Sequence, residues 1–279
     1  MKKNRYLIII FVVIALVVSI SVIYKNNFSD SNNKGKNLNF INTKIFISGS
    51  IGEEMTFPVI FFLNKHYKAK DIIDDVQLIN SNGAEISDWE LIDGSEYKDS
   101  KLNNISVSIK LTKEGENKLG GIQIRLKDGT KKEIPFDDWN IDVTSNSPSN
   151  FMVATKESYI ASNKNVLFDI KNNSDSIIKI SGLDLISDKI KIKNGIFKDN
   201  KKTYDSLDGI QLSKSGILEL NFETEISEKC DIYFIRPRLE YILNGITYKE
   251  PITQGAVYGL QFDEAKMSDM YKKCVEKVQ

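Results

Sequence analysis

A single histidine, His66, limits the chemistry open to this chain. Metal sites built on several imidazoles and acid–base catalysis by paired histidines are excluded. His66 stands in Asn64-Lys65-His66-Tyr67-Lys68, a polar stretch behind an apolar run, which is the setting of an exposed loop residue. A thiol nucleophile would need Cys230 or Cys274 brought to it from a remote part of the chain. Serine–lysine acyl transfer uses Ser-x-x-Lys, with the serine at the start of a helix. That spacing occurs at Ser31/Lys34, Ser95/Lys98 and Ser176/Lys179, no more often than the abundance of the two residues dictates. Lys214-Ser215-Gly216 is similar to the Lys-Thr-Gly element that accompanies such a serine, but Ser176 falls in a strand-like run and Ser95 in a polar turn. Asp71, Asp74 and Asp75, and the pair Asp137 and Asp138, offer oxygen ligands. Neither group has the spaced ligands, turn glycine and closing glutamate of a calcium loop, so they read as solvated carboxylates between strands. No glycine-rich turn leads from a strand into a helix, which disfavours nucleotide phosphates. The sequence therefore assigns no catalytic, cofactor-binding or metal-binding residue.

Two residue pairs keep two readings each. Trp89 and Trp139 both follow an aspartate. An exposed indole can stack on a sugar ring, whereas tryptophan in a sandwich usually fills the core, and the core reading is preferred for both. Cys230 and Cys274 form an even pair, and in an exported region a disulfide between them would persist. It would close a loop of about 45 residues, worth roughly 4 kcal/mol by chain entropy. Two free, buried thiols are the alternative.

Export is expected from the N-terminus. Lys2, Lys3 and Arg5 precede Tyr6–Tyr24, a run without a charge, and Lys25 follows it. As a helix that run spans roughly 28 Å, close to the hydrocarbon thickness of a bilayer. The basic flank places the N-terminus in the cytoplasm and the bulk outside. Ser19-Ile20-Ser21 resembles a signal-peptidase site, but Val22, Ile23 and Tyr24 continue the apolar run beyond it. An uncleaved single-pass anchor over residues 1–24 is preferred, with secretion after cleavage as the alternative. Residues 25–39, rich in Asn, Ser and Lys, read as a flexible spacer.

From Phe40 the pattern is that of strands. Lys44–Ser48, Thr56–Leu63 and Val76–Asn80 are short apolar runs, and Ile105–Leu111 alternates as a half-buried strand should. Asp128-Gly129, Asn194-Gly195 and Asn244-Gly245 each separate two such runs, and these pairs suit the positive φ of hairpin turns. Many short strands at this spacing predict β-sandwiches. Ser145–Asn150 is polar, holds a proline and divides the exterior into 40–145 and 151–262. Ile60–Leu63 aligns with Leu167–Ile170, and Val76–Ile79 with Leu183–Ile186 at the same offset, which fits two copies of one module and equally the matches that apolar alternation alone produces. Asp263 can cap a helix over 263–279, whose stripe of Met267, Met270, Tyr271, Cys274, Val275 and Val278 is expected to dock on the second module. The fold class predicted is thus mainly β: an N-terminal transmembrane helix, two tandem immunoglobulin-like β-sandwiches and a short C-terminal helix.

Composition bounds the partners. Formal net charge is zero and both signs are mixed, which gives no electrostatic footprint for nucleic acid. Abundant Lys, Asn and Ile with little Arg suggest an AT-rich bacterial genome. The expected role is non-enzymatic: a cell-surface protein that meets the membrane through residues 6–24 and holds a protein or cell-wall partner outside, without a cofactor. Rival readings are a cell-envelope hydrolase or transferase, and an accessory subunit of a transporter or sensor.

Overall fold

Alternation of apolar and polar residues builds strands over most of this chain. The computed structural model describes residues 37–145, 151–155, 159–162, 165–227 and 230–276. The apolar run 6–24, the spacer to residue 36 and the linker core 146–150 lie outside the described residues, with the expectations attached to them. Among the described residues no helix is long and apolar enough to cross a membrane. The protein is mainly β, in several sheets.

Eight strands form the N-terminal half: β1 (Asn39–Phe40), β2 (Thr43–Ser50), β3 (Glu54–Asn64), β4 (Ile73–Ile79), β5 (Ala84–Tyr97), β6 (Ser100–Leu111), β7 (Gly115–Leu126) and β8 (Lys131–Thr144). The C-terminal half supplies β9 (Met152–Ala154), β10 (Tyr159–Ser162), β11 (Asn165–Asn172), β12 (Ile178–Asp184), β13 (Ile190–Asp199), β14 (Thr203–Tyr204) and β15 (Gln211–Leu212). It continues with β16 (Ile217–Ile226), β17 (Ile232–Arg236), β18 (Arg238–Leu243), β19 (Ile246–Pro251) and β20 (Gly255–Tyr258). Leu38 is buried and Asn39 already pairs with Phe62, so the folded part starts slightly before residue 40.

The halves repeat one plan. In the first, a sheet ordered β1-β3-β6-β5 faces strands ordered β2-β8-β7-β4. In the second, β9-β11-β16-β13 reproduces the former order, and β12 pairs with β18 and β18 with β19 as β4 pairs with β7 and β7 with β8. The second half adds β14 beside β13 and β15 beside β12, and it differs by a break. The counterparts of β7 and β8 are interrupted between β17 and β18 and between β19 and β20, at Pro237 and at 252–254. There the chain leaves the second half's own sheet.

The displaced pieces join the first half. The order β10-β20-β17-β2-β8-β7-β4 is one seven-stranded sheet, and its seam is a parallel pairing of β17 with β2, from Ile232↔Thr43 to Arg236↔Ile47. Every residue of β2 is buried. Ile45 and Ile47 face the first half's core while Phe46 faces the second's, and Phe234 and Ile235 divide in the same way. A strand covered on both faces is the usual place for parallel pairing, and the continuous run Lys44–Ser48 is its sequence mark. The polar linker therefore marks where one half of the chain ends, while the sheet runs across both.

Two local expectations are corrected. Asn194-Gly195 makes no hairpin: β13 runs through it and pairs with β16 on both sides, with a register shift between Lys193 and Ile196. The positive φ of Asn194, 51°, serves a bulge instead of a turn. The other two pairs do turn chains, between β7 and β8 and between β18 and β19. The C-terminal helix, Glu264–Tyr271 and a further π turn to Glu276, is capped by the Asp263 side chain at Lys266 N, 2.8 Å. Its apolar stripe docks on the core of the first half instead of that of the second, while Lys266 and Lys273 bond Asp231 beside it. Met267, Met270, Tyr271 and Val275 enter the first core, and the Tyr271 ring meets Phe62 and Tyr97 edge-on. The physical reason is the shared sheet: β20 ends beside the first core, so the nearest apolar surface belongs to that half.

Candidate functional site

The residues singled out by their chemistry are scattered. His66 is exposed in the loop after β3. Ser95 and Lys179 are exposed, and Lys214 is held 2.5 Å from Asp175 on the surface. Arg125 neutralises Asp74 at 2.7 Å and reaches Asp75 at 3.6 Å. Among the described residues no three His, Cys, Asp or Glu side chains gather as metal ligands would. Trp139 is core: its indole N–H donates to Thr43 O at 2.7 Å and Phe136 stacks on its ring. Trp89 is only half-buried.

Cys230 and Cys274 are free, half-buried thiols, so the bridge is not formed in this structure. Their sequence neighbours Asp231 and Lys273 form an ion pair of 3.0 Å, and Cys274 Sγ donates to Phe40 O at 3.4 Å. Burial pushes both thiols up to about 11, which leaves little thiolate at neutral pH.

Charge gathers at the seam between the halves. Asp138 on β8 lies 2.6 Å from Lys44 on β2 and 3.0 Å from Lys189 of the second half. Burial pushes the Asp138 carboxyl up, but the two ammonium groups more than offset this and hold it below the usual carboxylate range. Arg236 on β17 donates to Glu53 at 2.6 Å and to Ile252 O at 2.6 Å. Arg238 bonds Asp142 of the first half and Asp184 of the second. Ser48 Oγ donates to Arg236 O and Pro237 O. These groups stitch the halves together; each carboxylate is answered by a base, the arrangement of a structural tie. Little in the sequence points to them. Lys44 within an apolar run, and two of the four arginines flanking Pro237, were the available signals.

Among the described residues, two concavities of the first half could serve as binding surfaces. One, of about 240 Å³, lies beside Phe40, Thr43, Phe136 and Trp139, with Asp137 and Asn42 on its lining. The other, of about 500 Å³, is a groove along β4 and β5, each an edge strand among the described residues. Val76, Leu78, Ile86 and Trp89 give it an apolar wall, and Asp75, Glu85 and Asp88 line it with carboxylates. The second is the larger and shallower, and among the described residues both its margins are edge strands, which makes it the stronger candidate for a contact surface.

No family model matches the chain, and no curated protein matches it by sequence. Among solved structures, it is similar to a protein of unknown function from Porphyromonas gingivalis at 12% identity, over 78% of this chain and 98% of that one, TM-score 0.24. A candidate membrane-anchored protein of Corynebacterium diphtheriae shares 9% identity over 79% and 90% of the two chains, TM-score 0.26. CfaE, the adhesive subunit of the CFA/I fimbria of enterotoxigenic Escherichia coli, shares 8% over 80% and 99%, TM-score 0.28. At these TM-scores the likenesses carry no functional argument.

Proposed function

We propose that the chain is a non-enzymatic, membrane-anchored surface protein whose two immunoglobulin-like halves act as one rigid body, holding a protein or cell-wall partner at a fixed distance outside the membrane. The observation that carries this reading is the shared seven-stranded sheet, with β2 buried on both faces and ion pairs crossing the seam. A flexible pair of modules would meet through a small polar contact; here backbone pairing and both cores run through the junction. The immunoglobulin-like part of the proposal is supported by strand order. β1-β3-β6-β5 and β8-β7-β4 follow the ABED and GFC orders of that architecture. The anchor and the outward orientation rest on Tyr6–Tyr24 and its basic flank.

Calorimetry of residues 37–279 tests the rigid body. One transition, with calorimetric and van't Hoff enthalpies equal, is expected. Two separable transitions would show independent modules and overturn the proposal.

A further inference from the structure

We infer that the free edge of β5, with the groove beside it, receives an extended segment of a partner protein in which lysine or arginine alternates with apolar residues. The inference deepens the surface-interaction reading above and rests on it. β5 spans 14 residues and closes its sheet, pairing with β6 on one side only among the described residues. An edge of that length presents a row of backbone donors and acceptors to any strand that can reach it.

The side chains state which strand. Ala84–Tyr97 contains Glu85, Asp88, Glu90, Asp93 and Glu96 and no lysine or arginine. Asp93 is engaged by Lys101 at 3.0 Å. A bulge between Ile86 and Asp88 keeps the pattern in phase, so that Glu85, Asp88 and Glu90 are exposed while Ile86, Trp89 and Leu91 turn toward the core. A strand added here would set its own alternate side chains above these two rows. Those on the outer face meet carboxylates at roughly 7 Å intervals. Those on the inner face meet the groove wall of Val76, Leu78, Ile86 and Trp89.

Charges and bulges on an edge are also how proteins prevent aggregation. Here the device is one-signed. Like charges oppose pairing with the same edge of a second copy, and they favour a cationic segment. The partner's chemistry is thus fixed at two levels: basic residues at every second position, apolar ones between them.

The test uses the full chain in a mild nonionic detergent and a fluorescein-labelled peptide of alternating lysine and valine, about nine residues long. Anisotropy should report saturable binding that weakens as salt is raised. The triple variant Glu85→Gln, Asp88→Asn, Glu90→Gln should bind about tenfold more weakly. Glu219→Gln with Glu223→Gln, on β16, should bind as the parent does. A peptide N-methylated at alternate backbone positions should lose binding to the unaltered protein, because strand addition needs its amide hydrogens. Equal binding of the N-methylated peptide, or of the triple variant, would overturn the inference. So would Trp89 fluorescence responding to neutral oligosaccharides and not to the peptide. None of these readouts depends on the unfolding transition that tests the rigid body, so the two can fail separately.

Discussion

Removing the small acid at the seam should destabilise the protein more than removing the large base it pairs with. The Arg236 side chain is 5% exposed and Glu53 29%, with 2.6 Å between them. Glu53→Gln keeps the shape and an acceptor for Ser50 N, at present held by Glu53 Oε2 at 3.0 Å. It leaves the guanidinium buried, with the Ile252 carbonyl as its remaining strong acceptor. Breaking a fully buried pair costs about 3–5 kcal/mol and an exposed one about 0–1. The partial exposure of Glu53 places this substitution between them, at about 2–3 kcal/mol. Arg236→Met removes the buried charge itself. Its side chain refills the space near Met55, whose sulfur Arg236 touches, and Glu53 turns to water. What is lost is chiefly the donor to Ile252 O, about 1–2 kcal/mol. For a chain of this size each kcal/mol moves Tm by about 2–4 °C. Glu53→Gln should therefore lower Tm by about 4–12 °C and Arg236→Met by clearly less, in calorimetry at neutral pH. A larger fall for Arg236→Met, or a fall under about 2 °C for Glu53→Gln, would refute the reasoning from an uncompensated buried charge.

Three further outcomes are expected. Tyr271 donates its hydroxyl to Asp99, which holds that carboxyl below its ordinary 3.8, while burial and Asp99 push the phenol up to about 12. A depressed carboxylate stabilises the fold above its unfolded value and loses that contribution as pH falls through the folded one. Tyr271→Phe should thus cost about 1 kcal/mol at pH near 7 in urea unfolding and less as the pH falls below 3.8 and Asp99 is protonated; a cost that does not change in acid would count against the bond. In protein isolated from the cell exterior, Cys230 and Cys274 should resist a thiol reagent under denaturing conditions until a reductant is added. Prompt labelling would show that they stay free as in the structure. The full chain should remain with membranes through carbonate washing, and recovery from the medium with Val22 as N-terminus would establish cleavage instead.

Strands were legible wherever a single chemical rule sufficed. Ile105–Leu111 alternates and lies within β6; Asp128-Gly129 and Asn244-Gly245 turn hairpins, with both central residues of the latter at positive φ. Asn194-Gly195 carries the same local signal and became a bulge, because β16 offers pairing on both sides of it. A dipeptide states which φ is tolerated, and only the partner strand decides whether the chain reverses. The same limit hid the seam. Lys44–Ser48 announces burial on two faces, yet nothing local names Ile232–Arg236, almost two hundred residues away, as its neighbour. The C-terminal helix meets the same limit: its apolar stripe is readable, but the surface it covers exists only once β17 and β20 have crossed to the first half.

The candidate contact surface was half legible for the same reason. Five acids without a base between Ala84 and Tyr97 stand in the sequence for anyone counting signs. Charge asymmetry acquires meaning through position. On an interior strand those carboxylates would need answering bases from both neighbours; on an edge, one neighbour supplies Lys101 and Lys110, and among the described residues no strand pairs with the other side. Trp89 illustrates the converse. Read alone it belonged to the core, and it does pack partly against it, but its place on the last strand of the sheet leaves it lining the groove. The tie at Asp138 and the edge at β5 both carry carboxylates. Enclosure between two halves turns one set of charges into structure, and a missing neighbour leaves the other set available for recognition.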